Sequence, residues 1–169
     1  LESLEKIPSK TKVMPIGEKG IDLNGILIGR FATSHDCEGS SGYTFLMPDG
    51  KKISVCTDLG VVTDKVRSSI EESDVILIES NHDVDMLNRG PYPPELKIRI
   101  LSAKGHISNN ACSAELAHLL NTGTNRFILG HLSQKNNTPL LALSAAEAAL
   151  TEKGAKNGRD YLLSVAAPS

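Results

Sequence analysis

No stretch of this sequence approaches the roughly 18 consecutive apolar residues that a membrane span requires, and no charged-then-apolar leader opens it. Those two absences lead us to expect a soluble, cytoplasmic protein with no membrane partner. Cysteine is scarce: Cys37, Cys56 and Cys112 are odd in number and show no C-x-x-C spacing, which reads as reduced thiols and excludes a disulfide framework. Charge of one sign is lacking too. With a formal net charge of −2, broad electrostatic attraction to nucleic acid is excluded, so any such role needs metal ions or a small basic patch. Internal repeats and low-complexity segments are absent. The sequence opens on Leu1 rather than Met, which points to a processed, cleaved or truncated product.

What remains is an ordinary globular composition, 40% hydrophobic and 22% charged over 169 residues, long enough for one domain with a real core and short for two. The mixed-charge first twenty residues, with Pro8 and Pro15, predict a short helix or loop and then an edge strand near Lys12 to Pro15. Ile26–Phe31 is strand-prone. Gly42–Leu46 and Lys52–Cys56 flank Pro48-Asp49-Gly50, a strong hairpin signal. Thr63 can cap a helix carrying Val66 and Ile70 on one face. Val75–Ile78 reads as a buried strand, followed by a helix or turn around Met86-Leu87 and a proline-rich stretch leading into a helix through Lys97 to Leu101. Helices over about 110–120 and 138–153 enclose the strand Phe127–Leu129. Alternating strands and helices in the second half, with a hairpin in the first, predict an α/β class with a mixed sheet and flanking helices.

The chemistry-bearing residues fall in short polar clusters, four of which directly follow strand-like runs. They are Thr33-Ser34-His35-Asp36, Thr57-Asp58-Leu59-Gly60, Glu79-Ser80-Asn81-His82-Asp83, Gly105-His106-Ile107-Ser108-Asn109 and Gly130-His131-Leu132-Ser133. In an open α/β sheet, strand ends line up along one edge, so such clusters can converge. A lone His35 is more often a loop histidine bonded to backbone, and a lone Asp58 a turn residue. Together, after strands of one hairpin region, they suit zinc or manganese, and a carboxylate can bridge two ions. His131 has the best functional case, although Ser133, Asn136 and Asn137 also suit a turn that caps the next helix. His106 reads equally as a ligand, a phosphate contact or a fixed turn residue. The Glu79-Ser80-Asn81-His82-Asp83 cluster reads as orienting the ligands rather than touching an ion. His118, among Leu116, Leu119 and Leu120, reads as structural. Lys97 and Arg99 could hold a substrate backbone, with a solvated helix face the weightier alternative.

Taken in order, these clusters resemble the YycJ/WalJ group of metallo-β-lactamase-fold proteins. Gly90-Pro91-Tyr92-Pro93, Leu96-Lys97-x-Arg99-Ile100 and Gly-His-Leu-Ser-x-x-Asn-Asn-x-Pro from Gly130 extend the match from about residue 25 to the end. The resemblance implies an αββα sandwich and phosphodiester hydrolysis, with DNA exonuclease activity attributed to the group. It implies two divalent ions, zinc or manganese, in the complete enzyme. By position, His35 matches the third metal motif and Asp58 the bridging carboxylate. His131 matches a histidine that related phosphodiesterases use as a metal ligand or proton donor, so His131 and Asp58 are the catalytic candidates. His82, His106, Ser108, Asn109, Asn81, Asn136 and Asn137 stand as substrate-contacting or ligand-orienting candidates.

The group's H-x-H-x-D-H signature is nowhere in these residues. By the resemblance it lies in a preceding N-terminal half, so residues 1–169 are expected to form the C-terminal part of the domain. Such a portion should be inactive alone, with weak metal binding or none. It should expose Ile26, Ile28, Val55 and Ile76 on an uncovered sheet face, inviting self-association or pairing with the missing half. The alternatives are a non-catalytic fragment or regulatory module of the same fold, or a small-molecule phosphodiesterase.

Overall fold

Strand direction is what places the site. The computed structural model describes residues 13–17 and 19–167. Its strands are β1 (Ile21–Leu23), β2 (Ile26–Ala32), β3 (Ser41–Leu46), β4 (Lys52–Cys56), β5 (Val75–Glu79), β6 (Arg126–Gly130) and β7 (Leu162–Val165). They form one sheet in sequence order, antiparallel from β1 to β4 and parallel from β4 to β7. It follows that β2, β4, β5, β6 and β7 all run the same way, and their C-terminal ends share one edge.

The opposite edge is closed by tight turns. At Asp49-Gly50 the Gly50 amide donates to the Met47 carbonyl (2.9 Å), with Gly50 at φ 84°, as the Asp-Gly signal predicts. Asn24-Gly25 joins β1 to β2 with φ of 53° and 86°, both left-handed as a type I′ turn requires. That Asn-Gly pair announces a hairpin which the sequence reading did not use. The edge strand expected near Lys12 to Pro15 is displaced accordingly: Lys12 lies outside the described residues, Val13–Ile16 carry no strand, and the edge strand is β1. The short β7 was not anticipated either.

Helices α1 (Asp64–Ile70), α2 (Val84–Arg89), α3 (Pro94–Leu101), α4 (Asn109–Asn121) and α5 (Pro139–Glu152) fill the connections. Four begin on a side-chain cap: Thr63, Asp83, Ser108 and Thr138 each accept a backbone N–H in the first turn. Helix α3 begins instead on Pro94, whose missing N–H costs nothing at a helix start.

One sheet face is dry. Phe31, Cys56, Ile76, Ile78, Phe127 and Leu129 pack with Val66, Ile70, Leu116, Leu119, Ala146 and Leu150 from α1, α4 and α5. Burying each large aliphatic side chain contributes about 1.5–3 kcal/mol. The other face carries two cross-sheet rows, Ile28–Phe45–Ile53–Val75 and Tyr43–Val55–Leu77–Ile128. All eight are only half-buried and lie outside the core cluster. Ile28 and Val55 are on this face as expected, but Ile76 is not: it is fully buried under the helices, and Leu77 takes its place. A continuous apolar run such as Val75–Ile78 has no alternation from which to read a face. No helix among the described residues is long and apolar enough to cross a membrane.

Candidate metal centre

Four of the co-directional strands deliver the site. His35 follows β2, Asp58 follows β4, Glu79 ends β5 and His131 follows β6. Asp58 and His131 hold left-handed φ of 54° each, a conformation uncommon for residues other than glycine. Both bends turn the side chain back toward the same point. His35 Nε2 lies 3.6 Å from Asp58 Oδ1, and His131 Nε2 lies 3.9 Å from that same oxygen. His106, from the loop between α3 and α4, inserts between the other two rings, with centroids 4.8 Å from His35 and 5.2 Å from His131.

The outer nitrogens are locked. Glu79 Oε1 lies 2.7 Å from Nδ1 of both His106 and His131, and Glu79 Oε2 accepts the Leu59 amide at 2.7 Å. His35 Nδ1 donates to the Gly105 carbonyl at 2.9 Å. A carbonyl and a carboxylate can only accept, so all three rings carry their neutral-form proton on Nδ1 and leave the Nε2 lone pair free. His35, Asp58 and His106 each offer a donor atom within 4.8 Å of the others. That set suits a divalent cation. Glu79, His106 and His131 meet the same distance limit, but there the carboxylate oxygen is already engaged by the two Nδ1–H groups, so Glu79 is an orienting residue.

Electrostatics follow from this geometry. Burial would push the Glu79 carboxyl up, but hydrogen bonds from His106 and His131, electrostatic attraction to His106 and the Leu59 amide hold it below the usual carboxylate range. The Glu79 hydrogen bond raises His131 against the opposing effect of burial, with Asp58 adding attraction. His82 is buried, its pKa is lowered by desolvation, and neither ring nitrogen has a partner among the described residues.

Segment 80–83 ties the site's loops together. Its backbone receives or gives hydrogen bonds at Gly130, Ile107, Asn109, Ser133 and Asn136. Beneath it, Ser80 Oγ donates to Asn109 Oδ1 (2.7 Å), and Asn137 Nδ2 reaches Asn109 Oδ1 and the Ser80 and Asn81 carbonyls. Asn109, Asn136 and Asn137 are buried, and Ser108 caps α4. Asn81 donates to the His131 carbonyl at 3.0 Å and also lines a groove of about 430 Å³ that opens beside His106 and His131.

The residues expected to act as ligands, His35, Asp58 and His131, come together, and His106 joins them. Glu79 was missed as an individual. Its signal was there: one carboxylate ending an otherwise apolar buried strand. The His118 ring is partly exposed and meets Glu71 Oε1 at 2.7 Å. Lys97 donates to the Asn88 carbonyl (2.7 Å), and the Arg99 guanidinium grips both Asp36 oxygens, so both cations are engaged within the protein.

Comparison with known proteins agrees with this architecture. The chain has the fold of part of zinc-bound PqqB from Methylobacterium extorquens (TM-score 0.58, 18% identity, 92% of this chain and 49% of that one). It also matches a diphosphatase of the PhnP family (TM-score 0.55, 12% identity, 92% and 46%). The fold is therefore that of the metallo-β-lactamase class. In sequence, the chain is 39% identical over 139 residues to exodeoxyribonuclease WalJ of Streptococcus pneumoniae (82% of this chain, 51% of the relative). To exodeoxyribonuclease YycJ of Bacillus anthracis it is 36% identical over 129 residues (76% and 48%). The chain is thus homologous to the WalJ/YycJ exodeoxyribonucleases over most of its own length. It spans about half the length of the curated relatives it matches. No family model matches the chain.

Proposed function

We propose that this chain is the C-terminal portion of a metal-dependent phosphodiester hydrolase that degrades DNA from an end. The observation that carries the reading is the convergence of His35, Asp58 and His106 donors beside His131, with each Nδ1 locked by an acceptor. A non-catalytic module would have no use for three imidazoles oriented in this way around a strained Asp58.

In this reading His35, His106 and Asp58 hold divalent cations, zinc or manganese, and the remaining ligands come from a preceding H-x-H-x-D-H half. Bound ions would polarise the phosphoryl oxygens and lower the pKa of the attacking water. Glu79 fixes the rings and raises their basicity. His131 holds a proton at Nε2, favoured by Glu79 behind it, and delivers it to the departing oxygen. The half-exposed position of His131 leaves room for that oxygen to approach.

The same reading explains the half-buried rows on the outer sheet face: the preceding half packs there, as a second layer of the sandwich. The relatives, about twice as long as the matched region, supply enough chain to do so. The test is direct. The chain alone should bind zinc or manganese weakly, self-associate and leave DNA intact, and adding the preceding half in trans should restore metal-dependent release of nucleotides. A monodisperse monomer with full activity and no added segment would overturn the proposal.

A further inference from the structure

Phosphodiester chemistry leaves unused the groove of about 430 Å³ beside His106 and His131. One wall is largely apolar: Tyr92, just before α3, and Leu96 and Ile100, one turn apart on it, all line the groove, with Arg99, already paired to Asp36, beside them. Across from them the loop after β6 supplies Ser133, Gln134 and Lys135. The volume lies at the small end of ligand-sized cavities.

Tyr92 stands out by elimination. The chain has six aromatic residues other than histidine, three Phe and three Tyr. Phe31, Phe127 and Tyr161 are in the core, and Tyr43 and Phe45 lie on the outer sheet face. Only Tyr92 reaches the groove. Pro91, Pro93 and Pro94 surround it and restrict the backbone, so little conformational freedom is lost when the ring is used as a platform. Aromatic rings beside a phosphate site are stacking surfaces for nucleobases, and every base offers a π-face. A base held in a duplex presents only its edges.

We infer that this groove is a subsite for one unpaired nucleotide of a DNA strand. Its base stacks on Tyr92 against Leu96 and Ile100, Gln134 and Ser133 meet the base edge, and Lys135 meets a neighbouring phosphate. The inference rests on the proposed function for its substrate class and adds that the strand end must be unpaired to enter.

The experiment is equilibrium binding of a fluorescein-labelled single-stranded oligothymidylate to the metal-free whole protein, followed by anisotropy. Tyr92→Ala should weaken binding on the order of ten-fold or more. Tyr92→Phe, which keeps the ring, should bind as the parent does. An abasic oligonucleotide should bind weakly and be indifferent to Tyr92→Ala. Parent-like binding by Tyr92→Ala, equal affinity for the abasic strand, or no binding by the parent would each overturn the subsite. Metal-dependent hydrolysis of methyl p-nitrophenyl phosphate by the parent, a phosphodiester without a nucleobase, tests the chemistry separately. Its absence with Tyr92-dependent binding intact would break the proposed function and leave the subsite standing.

Discussion

The two edges of the sheet are built on opposite principles. At the edge where β2, β4, β5 and β6 end, the chain leaves on loops and helices and returns buried, mutually bonded polar groups: Glu79 to two imidazoles, Asn137 to Asn109. At the other edge the strands turn tightly on Asn24-Gly25 and Asp49-Gly50, and the ionic contacts are exposed, as between Lys51 and Asp74 or Arg159 and Asp160. Exposed pairs are screened and cost side-chain entropy, whereas removing the shared acceptor of a buried network leaves several donors unsatisfied. One edge is therefore organised for function and the other for closure.

The strongest way to break this contrast is His131→Ala in the whole protein. Turnover on DNA should fall about 10²- to 10⁴-fold, the cost of losing a positioned proton donor, with little change in the unfolding midpoint. Metal content of the same variant separates roles, since a fall would make His131 a ligand instead. Next is Glu79→Ala, which leaves two ring N–H groups and the Leu59 amide without their acceptor; denaturant unfolding should show a loss of roughly 3–5 kcal/mol. Unchanged stability would mean the network is ornamental. The milder Glu79→Gln should keep the fold and weaken zinc or manganese binding about 10- to 100-fold by titration.

A finer probe is protonation. In the metal-free protein the His131 ring should titrate above the free-histidine value of about 6.5 in an NMR pH series. A raised folded pKa gives stability that is fully present below the unfolded value and is lost as pH rises through the folded one. Glu79→Gln removes the main cause, so the midpoint should fall and that stretch of the stability profile should flatten. The smallest effect belongs to the far edge: Lys51→Ala should leave the melting temperature and metal affinity unchanged within error, and a clear loss of either would erase the distinction between the edges.

Much of this was legible in the sequence where the signal is local. Thr63 caps its helix where its hydroxyl precedes apolar periodicity, and Asp49-Gly50 closes its hairpin. His35, Asp58 and His131 were legible because each sits just past a strand end. Glu79 was legible only as one member of a ligand-orienting cluster because its own role is relational: a carboxylate at a strand end acquires two imidazoles only after β4, β5, β6 and the α3–α4 loop have packed. Ile76 was misplaced for a similar reason, since register rather than composition decides which face an apolar run presents.

By itself the sequence determined the class of fold, the order of strands and helices, and the polar clusters that end the strands, because dihedral preference, capping and hydrophobic period act over a few residues. Only the tertiary structure decided that Asp58 lies between His35 and His131, that His106 stands with them, and that Glu79 fixes two rings. Those contacts join residues up to 73 positions apart, as from Asp58 to His131. Their geometry is set by sheet direction and register, quantities that no short window of sequence contains.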